Sequence, residues 1–168
     1  MPIDLLTPGD IDEIVAAFAA LGWPGKDRAQ YERYVREQSS GDRVILVART
    51  GDGEFAGYLT VVWEAGYAPF REQGIPEVQD LNVLPHLRRR GIASAMMDLA
   101  EEHEATRSPI AGVGVGLYAD YGPAHLMYLA RGYRPDGRGL AYGGRTCQPG
   151  DPVKVDDDLC LMLTRRLR

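Results

Sequence analysis

The stretch Asp80-Leu81-Asn82-Val83-Leu84-Pro85-His86-Leu87-Arg88-Arg89-Arg90-Gly91-Ile92-Ala93-Ser94-Ala95-Met96-Met97 decides the reading of this chain. An apolar-rich strand over residues 77–84 runs into Pro85, which cannot continue a strand ladder. A turn with three arginines follows, and then Ile92, Ala95, Met96 and Leu99 recur at the 3.6-residue period of an amphipathic helix. The amides at a helix start have no intrahelical acceptor and sit at the positive end of the helix dipole, so they bind anions, phosphate above all. Gly91, lacking Cβ, lets a ligand come close to the backbone there. Strand, phosphate-binding turn and helix therefore follow from local chemistry.

The spacing Arg88-x-x-Gly91-x-Ala93 after Val-x-Pro resembles the acetyl-coenzyme A signature of the GNAT superfamily of N-acetyltransferases. A second stretch, Ala124-His125-Leu126-Met127-Tyr128-Leu129-Ala130-Arg131-Gly132-Tyr133, resembles the family helix that carries a tyrosine and ends in Gly-Phe or Gly-Tyr. The motifs occupy 77–100 and 118–133, and the likeness in element order extends over most of the chain. It implies one α/β (α+β) domain over residues 1–168, with a mixed, mostly antiparallel sheet flanked by helices and splayed at the cofactor strand.

Composition agrees with an ordinary globular chain: 45% hydrophobic and 26% charged residues, enough for a full core. A formal net charge of −5 argues against general nucleic-acid binding, which needs a basic face. No run of about eighteen apolar residues suggests a membrane span. The N-terminus lacks the basic and apolar regions of a signal peptide, so a cytoplasmic protein is expected, with Cys147 and Cys160 reduced.

In order along the chain, Ile3, Leu5 and Leu6 suggest a strand. Thr7-Pro8-Gly9-Asp10 opens a helix with Ile11, Ile14, Val15, Phe18 and Leu21 on one face and Gly22 as its stop. A second helix is expected over residues 26–38, with Tyr31, Tyr34 and Val35 inward. In the family these helices border the acceptor site, which implies a substrate role for the Leu21–Lys26 turn; simple packing is the other reading for Trp23. Residues 43–50 and 55–64 are strand-like, joined by Gly51-Asp52-Gly53. Residues 66–76 read as a loop whose Tyr67 and Phe70 either line an acceptor pocket or pin the loop down. The central helix ends near His103–Glu104. Residues 110–118 form a strand whose Gly112, Gly114 and Gly116 admit a close neighbour. Gly122-Pro123 begins a helix through Arg131, and 133–142 and 158–164 are the last strands.

Acyl transfer to an alkylamine needs a base, because an amine of pKa about 10.4 is almost wholly protonated at neutral pH. Glu77, eleven residues before Arg88, stands where the histone-acetyltransferase branch of the superfamily carries its catalytic glutamate. Strand alternation puts Glu77, Gln79, Leu81 and Val83 on one face unless a bulge intervenes; Asp80 is the rival base if it does, and Glu64 a more distant one. The resemblance implies an oxyanion donor, and pantetheine contacts, from the backbone near Leu81, Asn82 and Val83, and pyrophosphate contacts from Arg88, Arg89, Arg90, Gly91, Ile92, Ala93 and Ser94. Tyr128 matches the family's general-acid tyrosine, which would protonate the departing thiolate; the plainer reading is a core tyrosine. Tyr121 stands where the family often has asparagine, which puts one cofactor contact in doubt.

Acetyl-CoA is the expected co-substrate and no metal is expected, since His86, His103 and His125 lack ligand spacing and Asp156-Asp157-Asp158 reads as a solvated turn. The expected activity is acetyl transfer to a primary amine of a small molecule, directly within a ternary complex. A protein lysine or N-terminal acetyltransferase and a non-catalytic acyl-coenzyme A-binding module are the alternatives. Self-association is left open, a homodimer being the assembly to test. The acidic residues Glu64, Glu72, Glu77 and Asp80 favour a cationic acceptor.

Overall fold

A computed structural model describes residues 1–167. The chain is a mixed α/β protein with one open, mostly antiparallel eight-stranded sheet and flanking helices. Its strands are β1 (Ile3–Leu5), β2 (Arg43–Arg49), β3 (Phe55–Val62), β4 (Glu77–Val83), β5 (Ile110–Gly116), β6 (Arg134–Tyr142), β7 (Arg145–Thr146) and β8 (Leu159–Arg166). They are ordered β1-β2-β3-β4-β5-β8-β6-β7. The helices are α1 (Ile11–Leu21), α2 (Arg28–Ser40), α3 (Ala68–Gln73), α4 (Ile92–Ala105) and α5 (Gly122–Ala130). Two compact units divide the chain, Met1–Val61 with Asp80–Ala100, and Val62–Gln79 with Glu101 onward.

In the first unit, the expected helix start at Thr7 is realised as a single 3₁₀ turn, Pro8–Asp10, ahead of α1. The Thr7 amide and hydroxyl both donate to Asp10 Oδ2, each at 2.7 Å, which satisfies groups a helix start leaves free. Ile11, Ile14 and Phe18 are buried along one face, whereas Leu21, in the last turn, stays exposed. The helix stops at Gly22, whose φ of 66° is left-handed and suits glycine. α2 begins two residues later than the periodicity suggests, because Asp27 Oδ1 accepts from the Gln30 amide at 2.9 Å and caps it. Lys26 is thereby left outside the helix, in the connecting turn.

The core of this unit is aromatic. Phe18 stacks on Trp23 with centroids 5.4 Å apart and meets Phe55 and Tyr58 edge-on; Tyr31 and Tyr34 complete the cluster around Tyr58. Trp23 therefore follows its packing reading. Each such ring taken out of water contributes about 1.5–3 kcal/mol. Gly57 on β3 admits the β4 backbone: a Cβ there would lie 2.2 Å from the Asn82 carbonyl oxygen.

In the second unit, β4 and β5 pair in parallel at Glu77↔Gly112 and Val78↔Val113. β5 then runs antiparallel to β8 from Ile110↔Arg166 to Gly116↔Cys160. β6 pairs with β8 through an irregularity between Pro135 and Leu140. The glycines of β5 make room for side chains of the protein itself: a Cβ on Gly112 would lie 2.5 Å from the Phe70 ring, and one on Gly116 2.4 Å from the Tyr121 ring. Residues 66–76, expected as a loop, contain the helix α3, with Pro69 in its first turn and Gly74 (φ 65°) as its cap. Six residues are too few for periodicity to reveal a helix. Tyr67 and Phe70 are buried with Ala65, Ile75, Ala141 and Met162, and the Tyr67 hydroxyl donates to Asp136 Oδ2 at 2.8 Å. They pin the segment down.

Candidate active site

Asp80 kinks β4. Its φ of 53° lies in the left-handed region, which aspartate tolerates better than most residues but still at a cost of order 1–3 kcal/mol. Strict alternation along the strand is broken there, so the residues from Glu77 to Val83 do not share one face as a regular strand would dictate. Asn82 braces the kink, its Nδ2 donating to the Asp80 carbonyl at 2.9 Å and to Oδ1 at 2.8 Å.

The Asp80 carboxylate gathers donors from three other elements of the first unit. Lys26 Nζ forms an ion pair with Oδ1. The Tyr58 hydroxyl donates to Oδ2, joined by Gln30 Nε2 at 3.1 Å and the Tyr34 hydroxyl at 3.0 Å. Burial by itself would raise the pKa of Asp80. The Lys26 ammonium outweighs it, aided by the Tyr58 and Asn82 hydrogen bonds, and holds the group below the ordinary carboxylate range. Tyr58 moves the opposite way, up through burial first and the Asp80 charge second. A carboxylate so held is a poor proton acceptor, so Asp80 is a weaker candidate base than Glu77.

The basic turn of the same unit is exposed. A 3₁₀ turn, Pro85–Leu87, carries the chain away from β4, and Arg89 and Gly91 are both left-handed, at φ 63° and 80°. Arg88, Arg89, Arg90, Gly91 and Ser94 are exposed, whereas Ile92 is buried and anchors the first turn of α4. Apart from its chain neighbours, no described residue has an atom within 4 Å of where a Gly91 Cβ would stand, so there is space in front of that backbone. Arg88 is partly committed: its Nε donates to the Val83 carbonyl at 3.1 Å and its guanidinium lies 5.7 Å from the Trp23 ring centroid. Leu81 and Asn82 are half-buried and Val83 is buried.

The second unit holds the other sequence-predicted residues. Glu77 is buried at 8% exposure, and Gln79 Nε2 donates to its Oε2 at 3.2 Å. Tyr128, on α5, is buried edge-on to Tyr133, and burial raises its pKa. Cys160 is pushed up to about 11, by burial first and by the Glu77 charge next, so it is no ready nucleophile. Tyr121 and Tyr118 both donate to Asp157 Oδ1, and Asp156 accepts from the Tyr142 hydroxyl at 3.1 Å. The acidic triplet is therefore used in hydrogen bonding within the fold.

Sequence reasoning missed Glu104. It stands near the expected end of the central helix and carries no motif, yet it is fully buried, and neither oxygen has a hydrogen-bond partner within normal geometry among the described residues. The nearby Gly112 amide is committed to Pro76 O at 3.0 Å. Burial, followed by the charges of Glu101 and Glu77, pushes its pKa to about 9, so it is a neutral acid at pH 7. Lys26 was also undervalued. The signal was available: it is one of only two lysines in a chain otherwise furnished with arginine.

A sequence profile described as the acetyltransferase (GNAT) family matches residues 10–133. The chain belongs to that family and is an acyltransferase of the class that takes its acyl group from acetyl-CoA. Among curated proteins none matches in sequence. Solved structures agree in fold. A GNAT-family acetyltransferase from Desulfovibrio desulfuricans superposes with a TM-score of 0.72 at 12% identity, over 98% of each chain. An aminoglycoside 6'-N-acetyltransferase complexed with coenzyme A gives 0.65 at 16%, over 99% of this chain and 97% of that one. The spermidine/spermine N-acetyltransferase of Vibrio cholerae, in mutant forms, gives 0.67 at 15%, over 98% and 93%.

Proposed function

We propose that this protein transfers an acetyl group from acetyl-CoA to the primary amine of a small cationic molecule by direct attack. The observation that carries the reading is the open turn from Arg88 to Ser94, left-handed at Arg89 and Gly91 and exposed ahead of α4. Its exposed backbone and guanidinium groups suit a pyrophosphate. Glu77 takes the proton of the acceptor ammonium, the freed nitrogen forms the C–N bond, the C–S bond breaks, and Tyr128 supplies the proton that ends on the thiolate. Burial keeps the Tyr128 phenol protonated through the neutral range, so a proton is in place there. Backbone N–H groups around Asn82 and Val83 are assigned to the oxyanion. The cationic acceptor is supported by the aminoglycoside and spermidine/spermine enzymes among the fold's neighbours, and by the acidic character of the chain.

The test is free-thiol release from acetyl-CoA with a panel of cationic, neutral and anionic primary amines. Glu77→Gln and Tyr128→Phe should each lower kcat by about 10²–10⁴ while coenzyme A still protects the protein thermally. Gly91→Asp should remove that protection, since it places a negative charge before the turn. Protection by coenzyme A without thiol release for any amine would leave a binding module; a preference for anionic amines would overturn the acceptor class.

A further inference from the structure

Lys26 occupies a place built for a cation. Its ammonium pairs with the Asp80 carboxylate and donates to the Tyr58 hydroxyl at 2.9 Å. It also lies 5.3 Å from the Tyr58 ring centroid and 5.8 Å from that of Phe18. A carboxylate beside aromatic faces is the chemistry that recognises an alkylammonium ion. Gln30 and Tyr34 hold the other carboxylate oxygen, so the arrangement is braced without Lys26. The ion pair keeps contact with solvent, its side chains being 15% and 21% exposed.

Three features set this apart from a structural salt bridge. First, the residue is lysine, one of two in the chain, and a compact ammonium with rotatable donors is not replaced by the planar fork of arginine. Second, Lys26 comes from neither helix but from the turn between them, next to Gly25 at φ 74°. That turn is secured by Gly22 at the end of α1 and Asp27 at the start of α2. Lys26 can therefore leave by rotating about its side-chain bonds, with both helices intact. Third, Asp80 adopts a costly left-handed backbone that places its carboxylate here.

Resting on the acetyl-transfer reading above, we propose that the Asp80–Tyr58–Phe18 cluster is the seat for an ammonium group of the acceptor, and that Lys26 fills it as an internal stand-in until the acceptor displaces it. A tethered side chain competes at an effective concentration in the millimolar range. Acceptor affinity is then set by this exchange, and a molecule with a primary ammonium is favoured over its neutral analogue.

The experiment uses butylamine as the probe, with butanol as the neutral analogue of similar size, and needs no coenzyme A. Calorimetry and thermal unfolding are run on the wild type, on Lys26→Met, and on Lys26→Met/Asp80→Asn. Butylamine should bind Lys26→Met about tenfold more tightly than wild type and raise its melting temperature with dose. Butanol should do neither, and the double variant should not respond. Equal binding to wild type and Lys26→Met, an equal effect of butanol, or a full response in the double variant would overturn the proposal. If Lys26→Met does not fold alone, recovery on refolding with butylamine supports the seat, and failure to recover overturns it. Thiol release that persists while this test fails removes the seat alone. An ammonium seat without thiol release for any amine removes the acetyl-transfer reading alone.

Discussion

Asp80 and Glu104 are both carboxyl groups withdrawn from water, one in each compact unit, and the protein treats them in opposite ways. Asp80 is met by an ammonium, two tyrosine hydroxyls and two amides, and stays charged below its ordinary range. Glu104 has no hydrogen-bond partner within normal geometry among the described residues, is buried beside the charges of Glu101 and Glu77, and has its pKa pushed to about 9. Glu101, close by in sequence, shows that the second unit is not short of cations: Arg131 holds it through Nε at 3.0 Å and Nη2 at 2.8 Å. Burial therefore does not fix the state of an acid. The donors that reach it do.

The largest effect should come from Asp80→Asn. Removing the carboxylate leaves the mostly buried Lys26 ammonium and the Tyr58, Tyr34 and Gln30 donors without their partner, at a cost of about 1–3 kcal/mol, read by urea unfolding at pH 7. Adding Lys26→Met should restore much of that loss. Because the folded pKa of Asp80 lies below its unfolded value, its contribution is present above the unfolded pKa of about 4 and is lost as pH falls through the folded pKa. The variant should lack this acid limb. A cost under about 1 kcal/mol would make the hub an ordinary surface pair and erase the contrast.

Glu104→Gln should act with the other sign. The folded pKa of about 9 exceeds the ordinary 4.5, so the folded protein binds the extra proton and stability falls as pH rises through that interval. Removing the ionisable group should stabilise the protein near pH 8 and flatten the profile between the two values. No difference from wild type between pH 5 and 9 would show that Glu104 finds a donor after all.

The smallest effect tests the close packing around Gly112 on β5. A Cβ on Gly112 meets the Phe70 ring at 2.5 Å and the Pro76 carbonyl at 2.9 Å, whereas on Gly114 it meets the flexible Met162 sulfur at 3.1 Å. Gly112→Ala should cost about 1–3 kcal/mol and Gly114→Ala less than about 1, by thermal unfolding. Equal costs would mean that the Phe70 side of β5 yields as easily as the methionine.

By itself the sequence determined what is local. Pro85, the arginines, Gly91 and the period of Ile92, Ala95, Met96 and Leu99 specify strand, turn and helix within one short stretch, and the chain folds that way. The capping chemistry at Thr7 and Gly22 was equally legible, because a cap involves residues a turn apart. The tertiary structure alone decided the rest. Lys26 and Asp80 are 54 positions apart, and their pairing needs the left-handed kink in β4 and the Asp27 cap that excludes Lys26 from α2. The fate of Glu104 depended on its burial beside the charges of Glu101 and Glu77. Periodicity says which face of an element turns inward, and it carries no information on the partner that a buried charge will find there.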